Sequence, residues 1–148
     1  MDISELLSED CIVIGSNDVS REEVFEHLAH LLALTGKVSD EQDYVNALNY
    51  RETLSETGLS DGIAIPHGKC AGVKKAGIAF MTLNNPITDW PSLDEKPIEV
   101  VFQLAIPADG DNIHIRMLSE LARKLVNQEV ITALKNAKSA SDVYETLK

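Results

Sequence analysis

Phosphoryl transfer needs a nucleophile, a cation for the equatorial oxygens and a group that orients the phosphate. This chain places a histidine, an arginine and a second histidine where the local pattern does not call for them. His67 follows the apolar run Ile63-Ala64-Ile65 and is held between Pro66 and Gly68. A strand that stops at Pro66 delivers His67 to the end of a sheet, where ligands and chemistry collect in α/β folds. A neutral imidazole is a good nucleophile near neutral pH, and one ring nitrogen is freed when a hydrogen bond holds the other. Arg51 lies seven residues after Tyr44 and three after Leu48, on the apolar face of its helix and near its C-terminus. A guanidinium there wants an anionic partner or a bound phosphate. His114 lies four residues before Leu118 and seven before Leu121, so it faces inward from a first helical turn. That position disfavours an imidazolium and offers free backbone N–H groups to an anion.

Each residue taken alone also fits a plainer role. Arg51 can pack its stem and send its head to water or to helix carbonyls. His114 can be a satisfied half-buried histidine, and His67 an exposed loop residue. Together they say more. All three lie at ends of predicted elements, and Arg51 and His67 bracket one loop. The strand expected over 98–106 feeds the loop before His114. In a three-layer fold such ends can meet on one edge of the sheet. There His67 attacks phosphorus, Arg51 offsets charge on the equatorial oxygens, and His114 orients the group or donates a hydrogen bond.

Other chemistries find less support. His27 and His30 are spaced to share a metal, but His27 sits at the flank of the stripe centred on Leu28 and His30 turns towards solvent. No cysteine or acid cluster offers a metal site elsewhere. There is no GxxxxGK[ST] loop and no GxGxxG, so nucleotide binding is unsupported. Trp90 reads as a loop anchor. Lys69, Lys74 and Lys75 make a modest basic patch, most simply a solvated face. A hydrolase or metal protein built on His67 and His114 is the competing enzymatic reading.

The elements that must position these residues follow from periodicity. Residues 3–7 suit a short helix or turn, and 11–15 a strand ending at Gly15. Ser20 and Glu23 form a capping box ahead of Val24, Phe25, Leu28, Leu31 and Leu32 at helical spacing, and Gly36 ends that helix. A second helix starts near Asp40, with acids in its first turn, and runs to about Arg51 or Thr53. Residues 55–62 read as a polar loop. Strands are expected over 63–65, 77–83 and 98–106. The last lacks alternation at Val100-Val101-Phe102 and so belongs at the centre of the sheet. Residues 84–86 and 89–92 read as turns. Asp111 or Asn112 caps a helix striped by Leu118, Leu121, Ala122 and Leu125. A short helix carries Val130, Ile131 and Leu134, and Ser141 caps a last one. The expected architecture is a single domain, residues 1–148: an α/β/α sandwich with a central mixed sheet.

Composition is compatible with this reading. A chain of 148 residues with 44% hydrophobic content can bury a sizeable core. Lys+Arg number 13 against 24 Asp+Glu, and the net charge of −11 disfavours nucleic acid and anionic membranes while suiting a basic protein partner. Cys11 and Cys70 form no CxxC unit and read as reduced structural cysteines. The N-terminus lacks the pattern of a signal peptide, and no apolar run approaches the ~20 residues that span a bilayer. A soluble, cytoplasmic protein without membrane insertion is the expectation.

The run Arg51-Glu52-Thr53-Leu54-Ser55-Glu56-Thr57-Gly58, followed by Gly62-Ile63-Ala64-Ile65-Pro66-His67-Gly68-Lys69, resembles the signature of phosphotransferase-system enzyme IIA of the fructose/mannitol class. The later stretch through Pro107, His114, Leu118 and Leu121 resembles that family's second block, with Ile115 where many relatives have leucine. The resemblance covers nearly the whole chain and implies a phosphoryl carrier with no metal or organic cofactor. His67 would accept phosphate from phospho-HPr and pass it to a cysteine on an enzyme IIB. His114 matches the second active-site histidine, Arg51 the phosphate-stabilising arginine, and Thr57 a loop threonine with a supporting role. The glycines around 62–69 would leave room for the partner's phosphorylated residue. The same resemblance admits a regulatory, nitrogen-related phosphoprotein that acts by protein binding. The length suits either a stand-alone protein or one module of a fusion.

Overall fold

A computed structural model describes residues 2–148. After a short helix α1 (Ile3–Leu6), the chain forms β1 (Leu7–Ser16), α2 (Arg21–Leu34) and α3 (Glu41–Leu54). Two short strands, β2 (Ile63–Ala64) and β3 (His67–Cys70), precede the long strands β4 (Gly77–Ile87) and β5 (Ile98–Pro107). Helices α4 (Asp111–Leu125), α5 (Gln128–Lys135) and α6 (Ala140–Leu147) complete the chain. The five strands make one mixed sheet in the order β1-β4-β5, with β2 and then β3 along the free side of β5. Only β4 and β5 are antiparallel.

Local chemistry explains the helix starts. Ser20 Oγ accepts the Glu23 N–H, while Glu23 Oε1 accepts the Val19 N–H, so two free donors are satisfied at one end. Asp40 accepts the Asp43 N–H at the start of α3. Gly36 takes φ +81° just past α2, a left-handed position that favours glycine.

Both faces of the sheet are covered. On one, Ala79, Met81, Val101 and Ala105 meet Val24, Phe25 and Leu28 of α2 with Tyr44 and Leu48 of α3. On the other, Ile78, Phe80, Phe102, Leu104 and Ile106 meet Met117 and Leu121 of α4, Leu134 of α5 and Val143 of α6. Alternate residues of β4 and β5 therefore serve different cores, which is why β5 shows no polar alternation. Each large side chain so buried contributes roughly 1.5–3 kcal/mol.

Several boundaries differ from expectation. The strand expected over 63–65 does not simply end at Pro66. It is interrupted there, and His67 opens a second segment opposite Leu104 of β5. Proline has no N–H to give the ladder. The Pro66 carbonyl still accepts the Leu104 N–H at 2.9 Å, so the lane continues across the break. Strand β4 runs through Asn84-Asn85-Pro86, expected as a turn, with a register shift before the Ile87–Ile98 pair. Gly110, not Asp111 or Asn112, occupies the N-cap of α4, with no side-chain cap. Ser139, not Ser141, caps α6 by accepting the Asp142 N–H. Trp90 is indeed a loop anchor, 1% exposed and edge-on to Phe25 at 5.7 Å.

Candidate active site

The break at Pro66 sets the chemistry of His67. The Ile65 N–H is taken by the Thr57 carbonyl at 3.0 Å. The Ile65 carbonyl is left for the His67 ring and lies 3.0 Å from Nδ1. A carbonyl can only accept, so Nδ1 carries the proton and Nε2 keeps its lone pair. The Arg51 Nε–H donates to that lone pair at 3.1 Å. His67 is 7% exposed. Burial pushes its imidazole down to about 4 from an ordinary 6.5; the Ile65 hydrogen bond opposes this, and His114 and Arg51 add to it. At neutral pH His67 is therefore an uncharged imidazole held in one tautomer, with the lone pair on Nε2 facing Arg51.

Arg51 and His114 converge on the same ring. The Arg51 Nη1–H groups donate to the Ser55 carbonyl at 2.9 Å and to its hydroxyl at 3.2 Å, anchoring the guanidinium at the end of α3. The expected helix-end carbonyl is thus reached, and the same guanidinium meets the His67 ring. The His114 ring, from the first turn of α4, stands 4.9 Å from that of His67 at a 60° tilt. Its Nε2 is buried without a hydrogen-bond partner. Burial, then Lys69 and Arg51, lower its pKa, so it too stays neutral. An ion pair between Lys69 of β3 and Asp111 of α4 joins the two elements that carry the histidines.

His67 opens onto a cleft of about 430 Å³. Arg51, Thr57 and Ile65 line it together with Leu118, Leu125 and Ile131. Val126 at its rim is 82% exposed. Thr57 borders this cleft, but its hydroxyl donates to Glu52 and not towards His67. Within 62–69 the glycines serve internal packing: a Cβ on Gly68 would lie 2.9 Å from the Tyr44 ring, and one on Gly62, at φ +79°, 3.1 Å from the Pro97 carbonyl oxygen.

Two features of the site have no counterpart in the motif reading. The Ile65 carbonyl is backbone and leaves no mark on residue type. Glu52 does leave one: it lies four residues after Leu48 and eight after Tyr44, an acid on the core face of α3. His27 and His30 lie elsewhere, bonded to Asp18 at 2.7 Å and Glu41 at 3.0 Å. Among the described residues no group of three or more His, Cys, Asp or Glu could hold a metal, and no helix is long and apolar enough to cross a membrane.

Residues 5–148 match the family described as phosphoenolpyruvate-dependent sugar phosphotransferase system, EIIA 2. The fructose-specific EIIABC component of Bacillus subtilis is 34% identical over 99% of this chain, and the match covers 23% of that protein. The chain thus spans less than a quarter of the length of the multi-component relatives it matches. A nitrogen regulatory protein homolog of Haemophilus influenzae is 37% identical over 98% of this chain and 90% of its own length. Among solved structures, nitrogen regulatory protein IIA-Ntr of Neisseria meningitidis superposes with a TM-score of 0.90 at 34% identity, covering 99% of each chain. Enzyme IIAMTL of Escherichia coli, in complex with phosphorylated enzyme IIBMTL, superposes at 0.80 with 26% identity over 96% of this chain and 98% of the other. With the match spanning nearly every residue and the fold shared throughout, the chain belongs to the EIIA type 2 family of the phosphoenolpyruvate-dependent sugar phosphotransferase system.

Proposed function

We propose that this protein is a phosphoryl carrier that takes phosphate from phospho-HPr onto Nε2 of His67 and hands it to an enzyme IIB during sugar uptake. The observation that carries this is the Nδ1–H tautomer held by Ile65, which leaves the lone pair on Nε2 beside Arg51. In the forward step that lone pair forms a bond to phosphorus, and the donor's leaving atom departs with the electron pair of its own bond. The Nδ1 proton stays on the Ile65 carbonyl hydrogen bond. Arg51 must move its Nε–H off the lone pair and onto a phosphoryl oxygen, while Nη1 remains on Ser55. The unpartnered Nε2 of His114 then faces a group to which it can donate. Fixed donors in a site sheltered from water stabilise developing charge better than mobile solvent does. The return step runs the same geometry backwards onto the acceptor cysteine of enzyme IIB.

The test is incubation with phosphoenolpyruvate, enzyme I and HPr, followed by mass spectrometry. One acid-labile, base-stable phosphate on His67 is expected. Absence of label, or label that survives His67→Ala, overturns the reading.

The similarity to nitrogen regulatory proteins favours a second reading, in which the same phosphohistidine switches binding to a regulatory partner. Adding sugar-system enzyme IIB to the labelled protein separates the two. Label that moves on to IIB supports transport, and label that stays on His67 supports regulation.

A further inference from the structure

We infer that Glu52 is a positioning residue for His67, acting through Thr57 and Ile65, with Arg21 as its counter-charge. The Glu52 side chain is 3% exposed, and at this depth a carboxylate costs several kcal/mol unless charge and hydrogen bonds compensate it. Its partners are few and specific. Thr57 donates both its hydroxyl and its N–H, the latter at 3.4 Å to Oε2. The Arg21 guanidinium, at the first turn of α2, stands 3.9 Å from Oε2 and lies over the Phe25 ring at 5.8 Å.

What Glu52 holds is the residue from which the tautomer of His67 is set. The Thr57 carbonyl accepts the Ile65 N–H at 3.0 Å, and the Ile65 carbonyl accepts from His67 Nδ1 at 3.0 Å. The chain of contacts runs Arg21, Glu52, Thr57, Ile65, His67. Glu52 also directly follows Arg51, so one turn of α3 supplies both the guanidinium on Nε2 and the carboxylate that steadies the peptide behind Nδ1. Thr57 therefore serves through its backbone, its hydroxyl being occupied by Glu52. A loop held only by packing would not need a buried anion, whereas a loop that must place a carbonyl to within a fraction of an ångström gains from a directional, charge-assisted clamp.

The transfer arm of the test rests on the phosphocarrier reading; the tautomer arm does not. Long-range ¹H–¹⁵N spectra of histidine-labelled protein at pH 7 read the His67 tautomer directly, with a pure Nδ1–H form expected. Glu52→Gln keeps the volume and removes the charge and one acceptor. It is expected to give a tautomer mixture and to slow phosphoryl acceptance about tenfold, short of the roughly hundredfold that a 1 Å misplacement costs. Leu147→Ala, a distant core truncation, serves as the comparison: it lowers the unfolding midpoint without moving the tautomer or the rate of the folded fraction. If Glu52→Gln behaves as Leu147→Ala does, the residue is a packing element and the inference is overturned. Should Glu52→Gln fail to fold, Thr57→Val is expected to lose the tautomer that Thr57→Ser retains, and identical spectra for the two overturn it. Wild-type protein that takes no phosphate yet shows the pure tautomer defeats the phosphocarrier reading alone.

Discussion

His67 and His27 are both held at Nδ1 by an oxygen, and the two ends of the molecule put them to different use. At the end of β1, His27 meets the Asp18 carboxylate at 2.7 Å, and Ser16 donates to the same oxygen at 2.8 Å. The His27 side chain is 39% exposed, and the contact ties α2 to the strand end. At the β3 end, His67 meets a neutral carbonyl, is 7% exposed, and has a guanidinium on its other nitrogen. The first arrangement is an open side-chain hydrogen bond, worth little beyond local order. The second spends burial and a backbone break on keeping one imidazole neutral with a defined lone pair. A hydrogen bond to Nδ1 is common to both; the difference lies in the charge of the acceptor and in what occupies Nε2.

The contrast is broken most severely at Arg51. Arg51→Ala is expected to reduce phosphoryl acceptance about 10²–10³-fold while the protein still folds, because in the proposed mechanism Arg51 supplies the cation at the transferring group. A variant that unfolds but leaves its residual folded fraction fully active would make the arginine structural. His114→Ala should slow acceptance about tenfold, the scale of one lost hydrogen bond, with the phosphate still found on His67 by mass spectrometry.

The pH response sharpens the same contrast. With His67 at about 4, the proposed phosphate acceptance should stay flat from pH 8 to 5 in a labelling assay, where an ordinary histidine at 6.5 would already be protonated. Stability moves with the same group. Between 6.5 and 4 the unfolded chain binds a proton that folded His67 refuses, so stability falls as pH drops through that window. Urea midpoints at pH 7 and pH 4.5 should therefore differ more in the wild type than in His67→Asn. The smallest effect belongs to the other end: His27→Ala should cost about 0.2–1 kcal/mol in urea unfolding and leave the transfer rate unchanged.

Much of this site was legible in residue type and spacing. Arg51 and His114 each fell on an apolar stripe, and the His67 ring does meet both. The central place of β5 followed from its unbroken hydrophobic run. Less visible was the split of one strand lane at Pro66, because His67-Gly68-Lys69-Cys70 carries no strand pattern of its own; its pairing comes from β5. The reach of β4 past Pro86 was hidden because Asn84-Asn85-Pro86 reads as a turn; Pro86 is tolerated since it lies beyond the last β1 pair, Ser16 with Leu83, and within the register shift against β5. Glu52 was legible as an acid on a core face, but its partner Arg21 is 31 residues away in sequence.

By itself the sequence determined the chemical inventory: a histidine fixed between proline and glycine, an off-pattern arginine, an inward second histidine and enough apolar residues to clothe both faces of a sheet. Periodicity carries that information because burial selects residue type. Only the tertiary structure decided which nitrogen of His67 keeps its lone pair. That choice rests on a backbone carbonyl freed at Pro66 and on a guanidinium arriving from another element, and neither a carbonyl nor a long-range approach is written in the identity of a side chain.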